Sequence, residues 1–259
     1  MTNPGFRLRP LNIGDLLDET FRLYRRHFAV FAAIAAVALV PVPVLQILLS
    51  IDPADPGRAI GAGILLGIVS FLATQLMNGA MIHAVSQGAL GESPGVGAAY
   101  GRVRPKLLSL AGLSIVYGLA VGLMFVTVIG IPFALFFALA WSMSTQALVL
   151  EGEGVCSSLG RSRELLRGSW WRTLGYATVL GILTVIAVMV ASIPSWIVAG
   201  LNEATGPAPA LSALGTLLET LGQVIGTPVG LAGWTLYYYD LRVRKEGFDL
   251  EVLARSLGS

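Results

Sequence analysis

Charge is what this sequence has least of. Asp, Glu, Lys and Arg make up 12% of the 259 residues, about half of the roughly 25% a water-soluble domain carries. With 55% hydrophobic residues and a mean hydropathy of +0.75, too little polar surface is left to cover a soluble globule or to keep a chain disordered. The single cysteine, Cys156, has nothing to pair with, which excludes a disulfide scaffold. His27 and His83 have no Cys, Asp or Glu at ligand spacing, so no metal site is expected. No phosphate-cradling glycine loop, Gly-x-Ser-x-Gly elbow or His-Glu-x-x-His helix occurs either. The expectation is a non-enzymatic chain without cofactor or nucleic-acid partner.

What is present is apolar sequence in runs long enough to cross about 30 Å of hydrocarbon, which takes roughly 20 helical residues. The runs fall at 28–50, 59–89, 107–129, 131–150, 173–199 and 211–239. They are apolar on every face, whereas barrel strands alternate. The predicted fold is therefore all-α, an integral membrane bundle of six transmembrane helices within one polytopic domain, 1–259. Basic residues are retained on the cytoplasmic side. With both termini there, Arg58 is the one exception among the 17 Lys and Arg, in an outer loop beside Asp52 and Asp55. The first run is too long for a signal-peptide core, follows Asp15, Asp18 and Glu19, and lacks a small-x-small cleavage site, so Met1 onward is expected in the mature protein.

Two charged segments read as amphipathic helices lying in the membrane plane, 10–27 and 155–171. In the first, Ile13, Leu16, Leu17, Phe21, Tyr24 and Phe28 share a face, opposite Asp18, Arg22, Arg25 and Arg26. In the second, Leu159, Leu165, Leu166, Trp170 and Trp171 are expected toward lipid and Arg161, Arg163 and Arg167 toward water or phosphate. Such helices either set the angle of the following span or grip anionic lipid or a protein partner. The C-terminal segment, 240–259, offers Asp240 with Arg244 and Arg242 with Glu246 at i,i+4, then Gly247 as a helix stop, and Arg242 and Arg244 join the candidates for binding lipid or a partner. The helix is expected to run about two turns past the membrane and dock under the bundle.

Residues 13–28 align without gaps on 155–170, matching Ile13 with Val155, Leu17 with Leu159, Leu23 with Leu165, Arg25 with Arg167 and Phe28 with Trp170; 96–108 is a weaker third copy. Prolines follow at Pro41 and Pro43, Pro132 and Pro194. The pattern suggests three units, each an in-plane helix and a helical hairpin.

Within the spans, polar residues are few: Gln75, Asn78, Gln146, Glu219 and Gln223 are the candidates. An acid at helix-centre depth costs roughly 2.5–3.5 kcal/mol on insertion scales. Glu219 is thus either a proton- or cation-binding group of a small transporter or channel, or a residue near headgroup water that holds Gln223. The small residues Gly118 and Gly122, and Gly226 and Gly230, are expected to let helices approach closely.

Three segments together resemble a bacterial family, the glycerophosphoryl diester phosphodiesterase membrane domain. They are Gly14-Asp-Leu-Leu-Asp-Glu-Thr-Phe-Arg-Leu-Tyr-Arg-Arg26, then Leu150-Glu-Gly152 with Arg161-Ser162 and Arg167-Gly168, and Tyr239-Asp-Leu-Arg-Val-Arg-Lys-Glu-Gly-Phe-Asp-Leu250. The resemblance implies a polytopic module of the bacterial plasma membrane. The hydrolase name does not transfer, since the phosphodiesterase barrel of that family's fused members has no counterpart in this length of chain. A lipid-interacting or scaffold module, with membrane lipids and a protein partner or second copy as its contacts, is the expected function; the transporter is the alternative.

Overall fold

The computed structural model describes residues 10–49, 56–206 and 208–247, with side chains at 49 and 56–59 undefined. Arg7, Arg9, Asp52, Asp55, Arg255, the side chain of Arg58 and the 248–259 part of the C-terminal segment lie outside the described residues. Every described element is helical and no strand is present among the described residues.

The chain opens with α1 (Ile13–Arg26), whose start is fixed by Asn12: its side-chain oxygen accepts the Asp15 amide at 2.8 Å. Asp15 in the first turn and Arg25 and Arg26 in the last suit the helix dipole. The backbone turns at His27 into α2 (Phe28–Leu39) and bends at Val40 into α3 (Pro41–Leu49). Next come α4 (Pro56–Ala89), α5 (Val96–Val103), a 3₁₀ turn at Arg104–Lys106, and α6 (Leu107–Phe125). The run expected at 131–150 is interrupted: α7 (Gly130–Ala140) stops, the chain turns through 141–143, and α8 (Ser144–Gln146) leads into a π turn, Ala147–Glu151. Gly152, at φ 77°, closes it in the left-handed region that favours glycine. The chain continues as α9 (Val155–Leu166), α10 (Trp170–Ala191), α11 (Ile193–Thr205) and α12 (Pro209–Glu246), which Gly247 ends with φ 63°.

Five stretches are long and apolar enough to cross a membrane: Phe28–Leu48, Ile60–Ala89, Val96–Phe125, Gly130–Glu151 and Trp170–Ala191. Many of their large apolar side chains point outward; Leu123 is 69% and Leu135 60% exposed. Such a surface is unstable in water and suits lipid.

The dense interior lies at the basic end. Tyr176, Tyr237, Tyr238, Phe31 and Leu16 are fully enclosed there, and Tyr176 stacks on Tyr237 with ring centroids 4.4 Å apart. α12 forms the central post, packed on α1, α2, α4, α9, α10 and α11. Its contact with α10 is a seam of Gly222, Gly226, Gly230 and Gly233: a Cβ on Gly226 would sit 2.5 Å from Val188 Cγ2 and 2.8 Å from Val188 Cα. Gly118 and Gly122 form no such seam, since nothing lies within 4 Å of the position a Cβ would take on either.

The amphipathic segments also differ from expectation in what they cover. Leu16 and Leu23 of α1, and Leu159, Leu165 and Leu166 of α9, are buried in protein rather than turned to lipid. Helical periodicity marks an apolar face; α12 and its neighbours cover part of it, while Phe21 and Phe28 stay exposed.

Candidate functional site

Two carboxylates, one enclosed and one partly buried, organise the basic end. Asp240, fully enclosed on α12, accepts the Leu11 amide on Oδ1 at 2.9 Å. Its Oδ2 takes Arg172 of α10 at 2.8 Å and Arg244, one turn further along α12, at 2.9 Å. Both guanidiniums also donate to the Leu11 carbonyl, at 2.7 and 2.5 Å. The backbone just before α1 is thereby latched to the last helix. Tyr24 adds a bond from its hydroxyl to the Ile225 carbonyl at 2.7 Å, and partial burial raises the pKa of that hydroxyl.

The second carboxylate is Glu151, at the end of the π turn. Arg161 of α9 clasps it in a two-pronged contact, Nε to Oε2 at 2.7 Å and Nη2 to Oε1 at 3.1 Å. The Tyr238 hydroxyl also donates to Oε1, and Arg242 stands 3.5 Å away. Glu246 bridges Arg161 at 2.5 Å and Arg242 at 3.0 Å. The bonds to Glu151 hold the Arg161 guanidinium above its ordinary pKa, against the desolvation that lowers it, and the charge of Glu151 and the contact with Glu246 add to the rise. Next to Arg161, buried Ser162 repairs the break after α7: its hydroxyl donates to the Ala140 carbonyl at 2.7 Å and accepts the Met143 amide at 3.0 Å.

The predicted residues thus separate into distinct groups. Arg161, Arg242 and Arg244 are held in internal ion pairs. Arg22 pairs with Glu19 at 2.7 Å instead of Asp18, and Arg25 and Arg26 are exposed at the end of α1. Arg163 and Arg167 line a groove of about 570 Å³ with Glu164, Phe136 and Trp170. Phe136 and Trp170 stack with centroids 4.6 Å apart, while Trp171 is 86% exposed. Neither Arg163 nor Arg167 makes a side-chain ion pair among the described residues.

The polar residues of the spans are not brought together. Glu219 is exposed on a groove beside Ser195, Asn202 and Ser212. Gln75 is buried on α4 and accepts the Ser114 hydroxyl at 2.7 Å. Gln146 is buried with no partner for its Oε1 among the described residues. Asn78 and Gln223 are half-buried, and neither lines the groove beside Glu219.

A third cavity, about 480 Å³, opens between the basic end of α4, the 3₁₀ turn, the π turn and α12; Arg102, Lys106, His83 and Arg242 are among its walls. Sequence reasoning left Arg102, Lys106, Arg172 and Asp240 as topology markers or local pairs. For Asp240 a signal existed: a lone carboxylate follows three tyrosines in an apolar helix, with arginines two and four residues on.

An all-helical bundle with five membrane-length apolar stretches, tied at its basic end by two ion-paired carboxylates, is the class these observations define. Within it, the chain belongs to the family described as Domain of unknown function (DUF7847), which matches residues 95–241. The match includes Glu151, Arg161, Arg172 and Asp240 and leaves α1 outside it. No curated protein and no solved structure matches the chain.

Proposed function

We propose that the protein is a non-enzymatic module of the bacterial plasma membrane that holds anionic lipid at its cytoplasmic face. α12 acts as a sixth span: at 38 residues it is about 57 Å long, enough to cross the bilayer and continue into the basic end. Both termini then lie in the cytoplasm, on the side where basic residues are retained. The order in-plane helix, hairpin, repeated from α1, α5 and α9, supports a three-unit architecture. The likeness to the phosphodiesterase-associated membrane domain supports the same kind of module.

The groove at Arg163 and Arg167 carries this function. Two guanidiniums with no carboxylate partner among the described residues line it together with the stacked Phe136 and Trp170, an arrangement suited to a lipid phosphate and the start of its acyl chains. Transport finds less support, because Glu219 shares its groove with none of Gln75, Asn78, Gln146 or Gln223. The test is the double substitution Arg163→Gln with Arg167→Gln, purified in mild detergent and analysed for retained lipid. Arg161 is left intact because its loss would undo the Glu151 contacts. Anionic lipid should fall at least several-fold relative to zwitterionic lipid, in line with about 1 kcal/mol per basic residue near an anionic surface. An unchanged lipid ratio from a folded double variant refutes the proposal.

A further inference from the structure

The cavity beside the π turn differs in kind from the groove at Arg163 and Arg167. Its walls carry Arg102, Lys106 and Arg242 against one carboxylate, Glu151. That carboxylate is already engaged: Arg161 holds both of its oxygens and Tyr238 donates to one. Arg242 is shared with Glu246. Arg102 and Lys106 make no ion pair among the described residues, so their charge faces the cavity without a counterion from the protein. Glu92, on the loop after α4, takes the Gln87 amide at 3.4 Å, is exposed, and is not a wall of the cavity.

The position of Lys106 is built rather than incidental. Its ammonium donates to the carbonyls of Leu148 at 3.3 Å and Val149 at 2.9 Å. Those carbonyls belong to the π turn, whose wider hydrogen-bond spacing turns main-chain oxygens away from an ordinary α ladder. An ammonium has three donors; two are fixed on the backbone and the third remains for the cavity. Across the space, the Ser86 and Tyr239 hydroxyls, bonded to each other at 2.6 Å, form a polar wall. A cavity of about 480 Å³ is within the range of roughly 300–1,000 Å³ for small-molecule sites. Retention of basic residues on one membrane side explains why the loop is positive, but it requires neither a cavity nor a lysine fixed by two carbonyls.

We propose that this cavity binds a phosphate-bearing anion, its oxygens taken by the Arg102 guanidinium and the third donor of Lys106. The phosphate belongs either to a lipid headgroup entering from the bilayer surface or to a free anion from solution. The site does not rest on the groove at Arg163 and Arg167, and the two can fail separately.

The experiment uses the full chain in mild detergent with two probes, inorganic phosphate followed by calorimetry and phosphatidic acid followed by native mass spectrometry. Arg102→Gln is the test variant, since Arg102 is exposed and its loss spares the fold. Arg104→Gln, two residues along and outside the cavity walls, removes the same charge from the same loop. If the cavity takes a free anion, inorganic phosphate binds and Arg102→Gln weakens it about tenfold, the loss of one charge-assisted contact. If it takes a headgroup, phosphatidic acid is retained in preference to phosphatidylcholine and only that preference falls about tenfold in Arg102→Gln. Both probes are read in the Arg163→Gln, Arg167→Gln background, which removes the groove's arginines, and in both cases Arg104→Gln leaves the signal in place. Binding of neither probe, or an equal loss in Arg104→Gln, overturns the proposal.

Discussion

Asp240→Ala removes the carboxylate to which the start of the chain and two arginines are tied. The Leu11 amide, in a residue 4% exposed, keeps no alternative acceptor. The Arg172 and Arg244 side chains retain 23% and 34% exposure, so their charges turn partly to water. Removing one member of a fully buried pair costs about 3–5 kcal/mol, and this partial exposure places the loss near 3 kcal/mol. Asp240→Asn keeps an oxygen for the Leu11 amide and loses only the charge, so it should cost about half as much. Thermal melts followed by tryptophan emission in mild detergent should show a midpoint lower by roughly 6–12 °C for the alanine variant, at about 2–4 °C per kcal/mol. Hydrogen exchange across α1 should rise at the same time, because the latch releases that helix before the spans. An alanine variant that melts with the wild type, with α1 equally protected, would falsify the assignment of Asp240 as the latch.

Gly226→Ala places a Cβ against Val188 Cα at 2.8 Å and should destabilise the α10–α12 seam by about 1–3 kcal/mol. Gly118→Ala, with nothing within 4 Å, should change stability by less than about 0.5 kcal/mol; denaturation in graded sodium dodecyl sulfate compares the two, and equal effects contradict the seam. Glu151→Gln loses the two-pronged ion pair with Arg161 and should cost about 2–3 kcal/mol, read as faster amide exchange in α9 with α6 unaffected. His27 titrates below its ordinary value of 6.5 because burial disfavours its charged form and Arg26 adds repulsion. The unfolded chain therefore binds this proton more readily, so the contribution to stability is present above the ordinary value and is lost as pH falls through the depressed one. Melting midpoints of the wild type should drop over that interval more than those of His27→Gln; parallel curves count against it.

Local patterns exposed much of this architecture in the sequence. The period of α1, the i,i+4 pairs Asp240 to Arg244 and Arg242 to Glu246, and Gly247 as a stop all depend on neighbours within one or two turns. What escaped reading depends on distant partners. Leu11 meets Asp240 across 229 residues and Tyr238 meets Glu151 across 87, and no spacing rule predicts either. The apolar faces of α1 and α9 were visible as faces, but periodicity does not say whether lipid or protein covers them. The stop after Ala140 was hidden because α7 and the π turn read as one apolar run, and its repair comes from Ser162, well downstream. Arg161, Arg163 and Arg167 look equivalent as a basic cluster, yet among the described residues only Arg161 meets an acid that folding has brought near and partly buried.

The latch also orders biogenesis. Leu11 leaves the ribosome long before Asp240, and at about 5–20 residues per second the 229-residue interval is roughly 11–46 s. During that interval α1 has α2 and α4 but not α12 to pack on, so it stays less protected until α12 arrives. A polypeptide cut short before Asp240 leaves the Leu11 amide without that acceptor, and the arrival of α12 is thereby recorded in the exposure of α1.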